Sequence, residues 1–476
     1  VIFHSLDFVV FFLLTTAVYW RLPHRAQNLL LLAASYVFYG WVHPWFLSLI
    51  ATTTIVDYWT ARTMEDRPGR KRAMLGLSLA ANLGLLGTFK YFNFFADSVQ
   101  AALATVGFSV PLPALAVVLP VGISFYTFQE LSYVIDVYRG TLRARRNFVD
   151  FALFVCFFPQ LVAGPIERAG HLLPQVERPR AWSWPGAHDA LFLIVWGYFK
   201  KLVIADNAGV IANKVFALDA PGFYVLWAGV FAFAIQIYGD FSAYSDIARG
   251  TARWLGFDLM RNFDHPYMAR GPVEFWRRWH VSLSTWFRDY VYIPLGGSRR
   301  GPLVMYRNLF LTFVVSGLWH GANWNFVVWG AYHGALVVLS RLLTGRRAGR
   351  TEPRPRPFLV PFQVLGMFAL TCVGWLIFRE TDFSMLVRDL TLAPGDSSLE
   401  DWHVGMYLFV LTLVYSLPLW IDSVWSVYVR PYWEARATPA AGIGALAGRT
   451  ALAGAAVALM LVFRSRQSLD FIYFQF

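Results

Sequence analysis

Residues 303–343 read LVMYRNLFLTFVVSGLWHGANWNFVVWGAYHGALVVLSRLL. Two apolar segments, 303–319 and 322–343, meet there at His320, inside Ser316-Gly317-Leu318-Trp319-His320-Gly321-Ala322-Asn323-Trp324. About 20 mostly apolar residues match the hydrocarbon thickness of a bilayer, so the pair reads as membrane helices with an ionisable group at their junction. Such a group is costly at that depth and marks a functional position by default. Working outward, similar apolar segments occur at 6–20, 28–42, 45–60, 74–92, 116–136, 149–166, 189–205, 221–238, 357–378, 404–421 and 441–463. Several are short or carry polar residues and fit re-entrant segments better than full crossings. The sequence therefore predicts an all-α polytopic membrane protein with about 10–12 helices at membrane depth.

Composition agrees. Of the 476 residues, 57% are apolar and 15% charged, against roughly 45–50% and about 25% in soluble domains. Mean hydropathy is +0.47. These figures exclude a cytosolic enzyme, a secreted disulfide domain and a disordered chain. The net charge of +12 comes in short basic blocks between apolar segments, which fits membrane topology and not nucleic-acid binding. The blocks Arg21–Arg25, Arg62–Arg72, Arg139–Arg146 and Arg341–Arg356 are predicted cytoplasmic. The stretch 93–115, without Lys or Arg, and the acidic stretch 379–403 are predicted external loops, which places both termini outside. No basic n-region precedes the first apolar segment, so it reads as a retained helix. Cys156 and Cys372 lie in apolar segments and suggest neither a disulfide framework nor a thiolate metal site. No internal period marks a solenoid, and no matched pair of broken segments marks an inverted-repeat transporter.

From Tyr238 to Arg300 charges recur every few residues among Trp, Phe and Tyr. Short amphipathic and re-entrant helices lining a cavity account for that mixture. His280 lies here, after Phe275-Trp276-Arg277-Arg278-Trp279. A neutral imidazole at such depth can take a proton from a hydroxyl and return it. Gly317 and Gly321 would leave room around His320. His320 could equally be a packed structural histidine, and His280 an interfacial one. His333, about 220° around an ideal continuous helix from His320, is expected to face away. Arg277, Arg278 and Arg288 with Lys200 and Lys201 could form a phosphate-attracting mouth or meet lipid headgroups. Asp240, Asp246 and Asp289 are each expected to pair with an arginine. No zinc, Walker, dinucleotide or serine-elbow motif appears, and no metal is predicted.

The phrases FWRRWHVSLSTWFRDYVYIPLGG (275–297), GLWHGANWNFVVWGAYHG (317–334), PVGISFYTFQELSYVIDVYRG (120–140) and FFPQLVAGPIER (157–168) resemble the membrane-bound O-acyltransferase superfamily. With IFHSLDFVVFF (2–12), NLLLLAASYVFYGW (28–41) and FIYFQF (471–476), they resemble its bacterial polysaccharide branch, of the alginate O-acetyltransferase type. The resemblance implies a single domain over 1–476: N-terminal helices in 1–147, a catalytic centre in 148–345 and C-terminal helices in 346–476. It implies a ring of helices around a thin centre, with a funnel on each face, in the bacterial inner membrane. The resemblance places the family's near-invariant histidine at His320 and its second at His280; with His320 as general base, sequence context offers His280 or Asn323 to support the oxyanion, and a covalent acyl-histidine or acyl-partner relay is the competing chemistry. Lys200, Lys201, Arg277, Arg278 and Arg288 then hold the phosphates of acetyl-CoA, a donor substrate and not a permanent cofactor. The implied acceptor is an exported polysaccharide, reached through a periplasmic acyltransferase-type partner. Cellulose, peptidoglycan or teichoic acid are the alternative acceptors; a polysaccharide or lipid transporter and an inactive scaffold are the non-enzyme alternatives.

Overall fold

Every regular element among the described residues is helical, because backbone polar groups in lipid must be satisfied within the segment. The computed structural model describes residues 3–41, 43–109, 111–116, 118–162, 164–344, 357–434, 440–467 and 469–472. Most of the basic block Arg341–Arg356 and the end of the FIYFQF phrase lie outside the described residues. Six helical stretches are long and apolar enough to cross a membrane: 68–105, 223–254, 302–320, 324–344, 357–379 and 399–433. Shorter apolar helices occupy 6–19, 148–161 and 448–463. The chain is a multi-pass, all-α membrane protein.

Its contacts divide it into two units, Val1–Leu191 with Ile247–Met260, and Phe192–Asp246 with Arg261–Phe476. In the first unit run α1 (Leu6–Tyr19), α2 (His24–Gly40), α3 (Phe46–Asp66), α4 (Lys71–Leu86), α5 (Phe92–Thr105), α6 (Ile123–Arg139), α7 (Phe148–Cys156) and α8 (Ala169–Glu177). Ser5 caps α1 by accepting from the Phe8 N–H, and Asn147 caps α7 by accepting from the Val149 N–H. Helices α3, α4 and α6 pack on one another, and α2 packs on α7. The predicted external loop 93–115 is helical over its first half: a π-helical turn at Gly87–Tyr91 joins α4 to α5. The stop comes at Gly107, whose φ of 86° lets the Phe108 N–H reach back to Leu103 O at 2.9 Å.

The second unit takes in the end of α9 (Trp184–Phe199), a π-helical turn at Lys200–Ala205, α10 (Asp206–Val215) and most of α11 (Phe223–Trp254). Short helices α12 (Pro272–Arg278) and α13 (Val281–Phe287) follow, then α14 (Pro302–His320), α15 (Trp324–Thr344), α16 (Val360–Arg379), α17 (Phe383–Thr391), α18 (Leu399–Val424) and α19 (Ala440–Phe463). α11 is one continuous helix of 32 residues, where the sequence suggested a break near Tyr238. Its apolar stretch is enclosed by protein, so its carboxylates can be met by side chains. α14 and α15 form a tight antiparallel pair. A methyl group on Gly317 would strike the Phe326 carbonyl, and one on Gly330 the Phe313 carbonyl. Small residues here let two backbones touch.

Candidate active site

His320 is the last residue of α14 and is buried. Its ring packs against Trp319 at 5.0 Å, Trp329 at 4.9 Å and Phe378 at 5.5 Å. The helix ends because Gly321 turns extended, and α15 restarts at Trp324. Asn323 assists that restart: half-buried, it accepts the Asn325 N–H at its Oδ1. The room expected beside Gly317 and Gly321 is filled by Phe326.

This break also corrects the expectation for His333. Its ring meets Trp329 at 4.9 Å, the same indole that His320 meets. The 220° estimate assumed one continuous helix, and Gly321–Asn323 interrupts it.

His280 occupies the junction of α12 and α13, fully buried, with φ 42° and ψ 55°. A left-handed backbone is uncommon for a residue with a Cβ. Asn262 holds it there: its carbonyl accepts the Val281 N–H at 2.9 Å, and its Oδ1 accepts the Ser282 hydroxyl at 2.6 Å. Asn262 Nδ2 in turn donates to Ser245 on α11 at 3.3 Å. The imidazole lies edge-on to Phe241 at 4.7 Å, and Trp319 joins it to the His320 neighbourhood at 6.2 Å. Burial pushes the His280 pKa down to about 3, so the ring is neutral at physiological pH. Sequence analysis singled out neither Asn262 nor Ser282; nothing local marks them.

Beside the histidines lies a cavity of about 230 Å³. Arg277, Arg288 and Arg341 line it together with Tyr292. Further in, Trp276, Leu283, Phe287 and Phe313 make it apolar, with hydroxyls from Ser284, Thr312 and Ser316. Arg277 and Arg288 are exposed and Arg341 half-buried, so the charged end faces outward. Ser316 is one helical turn before His320, and Ser284 one turn after His280. Neither imidazole lines the cavity, which stops short of both.

The other candidate cations sit elsewhere. Lys200 Nζ pairs with Asp246 at 2.7 Å and donates to Ser242 at 2.9 Å. Lys201, buried, bridges Asp206 and Asp240 at 2.9 Å each. Arg278 pairs with Glu274 at 2.8 Å and donates to Asp264 O at 3.1 Å. The structure thus brings Arg277 and Arg288 to the cavity and keeps Lys200, Lys201 and Arg278 out of its lining. A lysine, not an arginine, pairs with Asp240, and Lys200 reaches Asp246, because the π-helical turn at Lys200–Ala205 presents both lysines to α11. Asp289 pairs with the adjacent Arg288 at 2.8 Å, as expected. Arg341 and Tyr292 were not singled out from the sequence as site residues, although Arg341 opens a basic block that was read for topology.

The profile of the MBOAT, membrane-bound O-acyltransferase family matches residues 141–373. That span contains both histidines and the whole cavity lining. The chain is 41% identical over 410 residues to the protein named "Probable alginate O-acetylase AlgI" of Pseudomonas putida, covering 85% of this chain and 82% of that one. It is 32% identical over 423 residues to the peptidoglycan O-acetyltransferase of Helicobacter pylori, covering 81% and 78%. The teichoic acid D-alanyltransferase of Bacillus subtilis is 27% identical over 281 residues, covering 55% and 69%. With this identity over most of both chains, an all-helical membrane architecture and the matched profile, the chain belongs to the membrane-bound O-acyltransferase family and is an enzyme of that family.

Proposed function

We propose that this enzyme moves an acetyl group from cytoplasmic acetyl-CoA toward a hydroxyl of an exported polysaccharide, with His320 as general base. The observation that carries the reading is the arginine-rimmed, apolar cavity with Ser316 in its lining, one turn from His320. CoA phosphates cannot enter lipid, and a guanidinium rim suits them. The thioester arm is thin and weakly polar and suits the interior.

His320 then takes the proton of the acceptor hydroxyl as its oxygen attacks the thioester carbon. The tetrahedral oxyanion is met by an N–H donor, for which Asn323 Nδ2 and His280 are the candidates. Collapse expels the CoA thiolate, which receives the proton from His320. Where a periplasmic acyltransferase-type partner completes delivery, the first acceptor hydroxyl is the partner's, and the polymer hydroxyl then attacks that acetyl ester and releases the partner's hydroxyl. The relatives named for alginate acetylation favour a polysaccharide acceptor; the relative named for peptidoglycan O-acetylation makes peptidoglycan the second reading.

Replacing His320 with Ala while following membrane insertion and O-acetyl content of exported polymers and cell wall tests the proposal. Loss of acetylation by about 10²–10⁴-fold, with insertion intact, is expected. Unchanged acetylation overturns the base role, and acetate lost from the wall alone selects peptidoglycan.

A further inference from the structure

The first unit contains a second polar centre that the acyl-transfer chemistry does not use. Asp57 on α3 and Glu130 on α6 are both fully buried. Asp57 accepts from Ser78 Oγ at 2.5 Å and from Asn82 Nδ2 at 2.9 Å, both on α4. Glu130 Oε1 accepts from Thr54 Oγ1 at 3.1 Å. Thr54 and Asp57 are three residues apart on α3, hence on one face, and α3, α4 and α6 pack together around them.

No Lys, Arg or His forms an ion pair with either carboxyl among the described residues. The titratable groups that interact with the pair are Tyr36 and Tyr39 on α2, Tyr126 and Tyr133 on α6, and Cys156 on α7, none of them cationic. Two fully buried acceptors at the cluster, Glu130 Oε2 and Asn82 Oδ1, lack a well-aligned hydrogen bond, with the Thr53 hydroxyl also near Glu130. Two uncompensated carboxylates and two poorly met acceptors inside a packed helix bundle are far too costly to persist. The positive charge that balances them has to be bound.

We propose that Asp57 and Glu130 form a cation-binding site enclosed by α3, α4 and α6, filled either by protons alone or by a sodium ion together with one proton. The surrounding donors are carboxylate, amide and hydroxyl oxygens, the set that hard cations take. Binding there ties three helices of the first unit together.

The test uses the full chain in nanodiscs, with its thermal unfolding midpoint followed from pH 6 to 9 in sodium chloride or choline chloride of equal ionic strength. The comparison is with the isosteric double variant Asp57→Asn, Glu130→Gln. If sodium is the ligand, NaCl raises the wild-type midpoint at alkaline pH by a few degrees, as a ligand about a hundredfold above its dissociation constant does; the double variant ignores it. If the proton is the ligand, sodium has no effect, and the wild-type midpoint falls relative to the variant as pH rises. Identical responses of wild type and variant to both sodium and pH overturn the proposal. Should the variant fail to fold, a wild-type midpoint that ignores sodium and does not fall from pH 6 to 9 overturns it equally. Acetyl transfer is not the readout, so failure here is independent of the His320 assignment.

Discussion

At the scale of single residues, His280 unites strain, burial and lack of charge. A left-handed residue with a Cβ costs about 1–2 kcal/mol, which Asn tolerates better than most. His280→Asn is therefore expected to unfold at a higher temperature than His280→Ala, by about 1 kcal/mol of stability. If the imidazole itself takes part in transfer, both variants lose activity to the same extent. Burial also pushes His265 down to about 4 and His280 to about 3, whereas an unfolded histidine titrates near about 6.5. Between those values the unfolded chain binds more protons than the folded one, so stability is full above about pH 6.5 and is lost as pH falls. A midpoint that drops from pH 6.5 toward pH 4.5, less steeply in His280→Asn, is the expected outcome. Arg341→Gln should raise the KM for acetyl-CoA about tenfold while changing kcat little, since it removes a cation from the cavity mouth and nothing near the reacting carbon. Equal loss in kcat would place Arg341 elsewhere in the mechanism.

At the scale of elements, the α14–α15 pair is the part most sensitive to added bulk. Gly317 and Gly330 face backbone carbonyls across the crossing, and backbone cannot swing aside as a side-chain tip can. Gly330→Val should cost at least about 1–3 kcal/mol, the usual range for overpacking, read as a lower unfolding midpoint or loss of folded protein. A wild-type midpoint would refute the tight crossing. Elements were legible wherever hydropathy and a stop signal coincided, as at Gly321 after His320. They were illegible where polar residues were satisfied from a distance. Asp240 and Asp246 were expected to find arginine partners among short helices; Lys200 and Lys201, about forty residues earlier, meet them instead and let α11 run on through both. Likewise Phe92–Thr105 carries no basic residue and was read as loop, yet only Gly107 supplies the turn that ends it.

On the scale of the whole molecule, the sequence showed a membrane enzyme of one family, and it placed Arg277 and Arg288 together because they sit on neighbouring short helices. It could not show which cations are consumed by internal pairs, since burial is a property of the assembled chain. Lys201 makes the point: it holds Asp206 and Asp240 and donates to the Leu469 carbonyl at 2.8 Å. Lys201→Met would strand two buried carboxylates and should destabilise by about 3–5 kcal/mol, measured by thermal unfolding in detergent; an unshifted midpoint would show those carboxylates to be relieved some other way.

Asp240 also receives the Ile472 N–H at 2.7 Å, and Phe471 covers Tyr244 at 4.2 Å. The helix that carries those partners is synthesised more than two hundred residues before the segment that completes their surroundings. Until that segment docks, Asp240 keeps its Lys201 pair but lacks the Ile472 N–H, so the last stretch of chain to be made closes over a charge cluster laid down long before it.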